Sequence, residues 1–181
     1  MKTKLLYVLF SLVTFSFLSG AALAESKLAV MNYQAVLFNS AAAEDATLQL
    51  RTALATEQNR LQDLTQQIET RRSRLQTDQE LMTEEEINQY KKDIQGMMSE
   101  QAKLQAVMQQ RQQESRNAFI KQFQPFIRSL VKSYVEENGI TLVVDTQAVL
   151  WNEGEPDITQ EILASFDREY QVKKQEAQSE K

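Results

Sequence analysis

Neither cysteine nor histidine occurs anywhere in the 181 residues. Without cysteine there is no disulfide framework, no thiolate nucleophile and no site for a thioester or thioether lipid. Without histidine the chain loses the commonest general acid–base group, the commonest metal ligand and the usual partner of a serine nucleophile. Paired carboxylates remain, but they need a concave pocket to act in, and little of the chain has the pattern to build one. Glycine and proline are scarce, at four and two, and no glycine-rich phosphate loop is among them. Low glycine and proline with abundant Gln, Glu, Ala and Leu is the composition of long helices. The sequence reads as non-enzymatic, with no cofactor or metal expected.

What is present begins with an export pattern. Lys2 and Lys4 precede an unbroken run of apolar and small residues from Leu5 to Leu18, and Ala22-Leu23-Ala24 closes it. A charged start, a short apolar stretch and a small-x-small ending form a cleavable signal; a membrane anchor needs a longer run. Residues 1–24 are therefore expected to be removed, leaving a chain that starts at Glu25. That chain has 18 basic and 25 acidic residues. Residues 41–124 hold 11 and 13 of them, and residues 125–181 hold 6 and 11. A nearly balanced middle and an acidic end disfavour nucleic acid or an anionic membrane as the main partner.

The fold class expected is α+β, mostly α: a long antiparallel helical hairpin on a small β-rich oligomerisation body. Residues 27–33 read as a strand and 34–40 as a helical turn, with Ser40 positioned to cap the next helix. From Ala41 to Gln79 no glycine or proline interrupts, and Leu54, Leu61, Ile68, Leu75 and Met82 recur every seven residues. Leu50 and Leu64 fit the companion seam position, while Glu57, Arg71 and Asp78 intrude on it. That stripe is too thin for a globular core and suits a hairpin standing in solvent. Thr83 followed by Glu86 has the capping-box pattern, which places the reversal near 79–83. The second helix is expected from Glu84 to about Glu137, kinked or restarted at Pro125 and stopped by Asn138-Gly139. Its end, with Phe119, Phe123, Phe126, Ile127, Leu130, Val131 and Tyr134, is the root packed on the body.

Runs 140–145 and 148–151 read as two further strands, arranged as a hairpin. A short helix carrying Ile162, Leu163 and Phe166 follows, capped by Asp157 or Thr159, and the charged tail 167–181 is expected to fray. The organisation is thus a body of residues 25–40 and 125–166, an arm of 41–124 and a tail. Such short strands do not make a stable sheet alone, and bare edges aggregate. Oligomerisation through Val30, Leu142, Val144, Val149 and Trp151 is the expected solution.

Met82, Met97, Met98 and Met108, with Tyr90, lie along the arms. They suit an adaptable contact surface or fill an irregular seam. Glu84, Glu85 and Glu86 read as a solvated cap, and Arg71, Arg72 and Arg74 as a solvated face rather than a phosphate site. Asp145 and Asp157 read as turn and cap residues.

Two segments carry a resemblance: Lys27 to Ser40, and Gly139 to Trp151 with Asp157-Ile158-Thr159 after it. They sit at opposite ends of a helical hairpin of the right length, and with them the chain resembles the Skp (OmpH-like) periplasmic chaperones. The resemblance implies a periplasmic homotrimer whose helical arms enclose unfolded outer-membrane proteins without ATP. With such a client, Met82, Tyr90, Met97, Met98 and Met108 are the candidate contacts on the arms. Skp proteins are typically basic, whereas this chain is acidic, so attraction to lipopolysaccharide does not carry over. A secreted coiled-coil spacer or adaptor of the cell envelope is the alternative.

Overall fold

A computed structural model describes residues 27–179; the expected signal and its cleavage site lie outside the described residues. The chain runs β1 (Lys27–Met31), α1 (Tyr33–Phe38), α2 (Ala41–Ala53), α3 (Ala55–Asp78), α4 (Glu84–Asn138), β2 (Ile140–Asp145) and α5 (Thr159–Ser179), with single 3-10 turns at Gln79–Leu81 and Thr146–Ala148. The fold is mostly α with one two-stranded sheet.

Local chemistry accounts for the boundaries. The Asn32 side chain accepts from the Ala35 N–H at 2.8 Å and starts α1. Ser40, fully buried, accepts from the Ala43 N–H at 3.2 Å and starts α2. Thr83 and Glu86 form the reciprocal capping box of α4. Gly139 ends that helix at φ 63, a left-handed conformation glycine adopts without strain. One residue, Leu54, separates α2 from α3, although its N–H still bonds to the Leu50 carbonyl at 3.0 Å. The unbroken first helix expected from the sequence is therefore slightly deformed there, around a buried leucine.

The core lies in the body. Val36 and Leu37 from α1, Phe119, Ile127 and Leu130 from α4, and Ile158, Ile162 and Phe166 meet around Ala29. Phe166 has edge contacts at 5.5 Å with both Phe123 and Phe126. Aromatic and branched side chains crowd this end of α4, as the composition of 119–134 predicts. The arm is different. Over α3 and the part of α4 facing it, the buried side chains are Leu64, Ile68, Ile94 and Met108.

Three expectations are corrected. β1 and β2 pair in parallel, with Val30 opposite Val144 and Leu28 opposite Leu142; the whole helical hairpin is the crossover between them. Residues 148–151 form no strand: after β2 the chain makes a 3-10 turn and leaves the sheet, so the 140–151 hairpin does not exist. The far edge of β1 is taken by another segment, with the Val30 N–H donating to the Pro156 carbonyl at 2.9 Å and the Ile158 N–H to the Val30 carbonyl at 3.0 Å. The second helix is not restarted at Pro125. α4 continues through it for 55 residues, about 80 Å, because the proline sits on an exposed face where water can serve the carbonyl it leaves unbonded.

The tail is the third correction. Residues 167–179 extend α5 instead of fraying. Asp167 accepts from the Ala41 N–H at 2.8 Å, so it joins Ser40 in capping α2. The Tyr170 hydroxyl donates to the Asp45 carboxylate at 2.9 Å, and the Lys174 ammonium donates to the same oxygen. Tertiary contacts of this kind order a charged segment that its composition alone does not.

Candidate functional surfaces

The arm is held in register by charge as much as by its seam. Arg60 pairs with Glu100 at 2.8 Å, Arg71 with Asp93 at 3.0 Å and Arg111 with Glu57 at 2.6 Å, and Gln101 donates to Thr65 at 2.9 Å. Glu57 and Arg71, which intrude on the heptad pattern, are thus cross-links between α3 and α4. Each such half-exposed pair contributes about 0 to 1 kcal/mol, so the arm is aligned more than it is stabilised.

The arm residues singled out in the sequence divide. Met108 is buried in the seam, and Met82, Tyr90 and Met97 are half-buried. Of these only Met98 is exposed, at 44%, and its sulfur accepts from Arg72 at 3.0 Å. Tyr90 lies under the Arg71 guanidinium, 5.7 Å from its carbon to the ring centre. Leu48, Leu81 and Val107 are exposed apolar side chains that a seven-residue repeat does not pick out. At the root, α2 presents small residues to α4 and a cleft of about 240 Å³ opens between Ala43, Ala46, Leu50 and Phe119.

The body leaves a second kind of surface. β2 has a ladder partner on one side only among the described residues. Of the residues expected to hold the oligomer, Val30 is buried and faces Val144 across the sheet, and Val144 and Val149 are half-buried. Leu142 is 53% exposed and Trp151 79% exposed, beside a fully exposed Leu150. Val149 and Trp151 lie off the sheet, so the structure does not bring the five together as one cluster. No group of acidic residues among the described ones is arranged to hold a metal ion, and no described helix is long and apolar enough to cross a membrane.

A family model for outer membrane proteins of the OmpH-like kind matches residues 27–166, from β1 to the middle of α5. The chain belongs to the OmpH-like family. Among solved structures, an OmpH-like protein of Caulobacter crescentus, described as a candidate outer membrane chaperone, superposes with a TM-score of 0.52. It is 14% identical, with 80% of this chain and 85% of that chain covered, so the likeness is one of fold. No curated protein matches.

Residues 167–179 of this OmpH-like chain lie beyond the family match, and Tyr170 among them is strongly perturbed. Burial, then the bond to Asp45 and its charge, push the Tyr170 hydroxyl up to about 12. Hydrogen bonds from Lys174 and Tyr170 hold the Asp45 carboxyl below the usual range. These three residues went unnoticed in the sequence because 125 positions separate Asp45 from Tyr170 and neither belongs to a motif.

Proposed function

We propose that this OmpH-like chain is an exported, ATP-independent holding chaperone of the periplasm, which as a homotrimer encloses unfolded outer-membrane proteins between its arms. The observation that carries the reading is the arm itself. A hairpin with four buried seam residues has almost no interior, so what it offers is surface, and that surface is dotted with Leu48, Leu81, Met98 and Val107. Contacts of about 1 kcal/mol each suffice when a client is enclosed, because each raises the effective concentration for the next. Release requires no switch: a client that folds into the membrane stops presenting apolar segments. The open edge of β2 and the bare Leu142, Leu150 and Trp151 favour self-association of the body. Met82, Tyr90, Met97 and Met98 are proposed client contacts, with Met108 reached only if the seam opens.

The test is light scattering of a urea-unfolded porin diluted into buffer with the exported chain at near-stoichiometric ratio. Aggregation should fall equally with and without ATP, and because residues 41–124 are nearly neutral, high salt should weaken the effect only slightly. An ATP requirement refutes the mechanism, and no protection at all refutes the reading and favours an envelope spacer that binds one folded partner. Mass spectrometry of the periplasmic fraction should find an N-terminus at Glu25.

A further inference from the structure

We propose that Trp151 of one copy seats in a cleft beside Tyr33 of the next, so that the copies associate head to tail. The inference rests on the self-association proposed above and specifies its contact. A cleft of about 330 Å³ lies between the sheet and α4, lined by Met31, Ile127, Val131 and Val143 together with Tyr33 and Arg128. The cleft is continuous with β2, since Val143 and Asp145 line it, and β2 is the strand whose other edge is open.

The chain also carries the complementary piece. Leu150 and Trp151 are almost wholly exposed, which is unusual for the largest aromatic side chain. The apolar body of the indole suits a cleft lined mainly by Met31, Ile127, Val131 and Val143, with its polar edge left towards the rim. Charge agrees. Glu153 and Glu155 follow Trp151 in the same loop. Arg128 in the cleft belongs to none of the ion pairs among the described residues. Asp145 does not compete for it, because its carboxylate accepts locally from the Gln147 N–H at 2.9 Å. Donor patch and receiving cleft are different surfaces of one chain. Their contact is therefore heterologous, and it closes into a ring when the rotation between copies allows, a trimer being one such ring.

The chain contains a single tryptophan, so its fluorescence reports this site alone. The experiment dilutes the exported chain through its dissociation range, recording emission together with mass by light scattering. The emission maximum should move to shorter wavelength in step with the rise in mass. Trp151→Ala and Val131→Glu should each raise the concentration for assembly at least tenfold. Circular dichroism separates misfolding of Val131→Glu from loss of contact, and Trp151→Ala, at an exposed position, carries the test if that variant fails to fold. An oligomer whose tryptophan still emits as if in water overturns the seat while leaving the assembly standing. An emission already shifted in the monomer overturns it too, since Trp151 would then occupy the cleft of its own chain. Failure to assemble at any concentration overturns the self-association itself.

Discussion

Phe166→Ala should be among the most damaging single changes in the chain, and Leu75→Ala among the mildest apolar ones. Phe166 has no exposed surface, and the rings of Phe123 and Phe126 meet it edge-on at 5.5 Å. Truncating a buried phenylalanine costs about 3 to 5 kcal/mol, and two edge contacts place this one in the upper part of the range. Leu75 is only half-buried, so losing its side chain forfeits about 1 kcal/mol of burial. Against a total stability of about 5 to 15 kcal/mol, the first change removes much of the margin and the second little. Urea melts followed by circular dichroism would measure both, at one fixed chain concentration because assembly contributes to apparent stability. With a denaturant slope of about 2 kcal/mol per molar, Phe166→Ala should lower the midpoint by about 2 M and Leu75→Ala by about 0.5 M. Equal losses from the two variants would refute the division into a cohesive body and a weakly cohesive arm.

Two further outcomes follow from contacts outside the core. Thr83→Ala should remove one half of the capping box, costing about 1 kcal/mol, and hydrogen exchange should quicken at the arm tip while the body keeps its protection. The contact between α5 and α2 should hold at full strength from the ordinary carboxyl value of 3.8 up to pH 10. A depressed Asp45 carboxyl stabilises the fold above its ordinary range and gives that up as pH falls through its lowered value, whereas a raised Tyr170 hydroxyl loses its contribution as pH climbs from 10 towards about 12. Proteolysis of the C-terminal segment across this range would show both limits, and an unchanged acid limit in Asp45→Asn would sink the assignment to Asp45.

Features governed by neighbours in the sequence were legible in it. Ser40, the Thr83–Glu86 pair and Gly139 each act within three or four residues, and all three mark boundaries in the structure. The Phe-rich stretch of α4 announced the body for the same reason. Features governed by distant partners were not. Nothing near Ala148-Val149-Leu150-Trp151 says that the segment has no strand to pair with, so its β-forming residues suggested a hairpin that tertiary structure does not supply. The parallel partner of β1 lies more than a hundred residues away. Arg71 and Glu57 looked like flaws in a heptad until Asp93 and Arg111 were seen opposite them. The order of residues 167–179 depends on Asp45, which no local pattern connects to them. Of the candidate surface, the arm's existence was legible, but which of its side chains face water depends on a pairing register that the thin apolar stripe leaves loosely specified.

The parallel pairing of β1 with β2 sets the order in which this molecule can fold. The hairpin arm joins neighbours in the chain and its helices can form while synthesis or export is still under way, on the microsecond scale of local structure. β1 cannot be completed then. Its two flanking segments, 140–145 and 156–158, are the last but one part of the chain to arrive, and closing so long a loop is slow relative to local contacts. For that interval the strand of residues 27–31 carries two bare edges, each able to pair with a strand from another chain. A protein whose arms are finished before its body is thus most exposed to aggregation at its own N-terminus; truncation before residue 140 leaves both edges of β1 bare for good, and truncation between 145 and 156 leaves one.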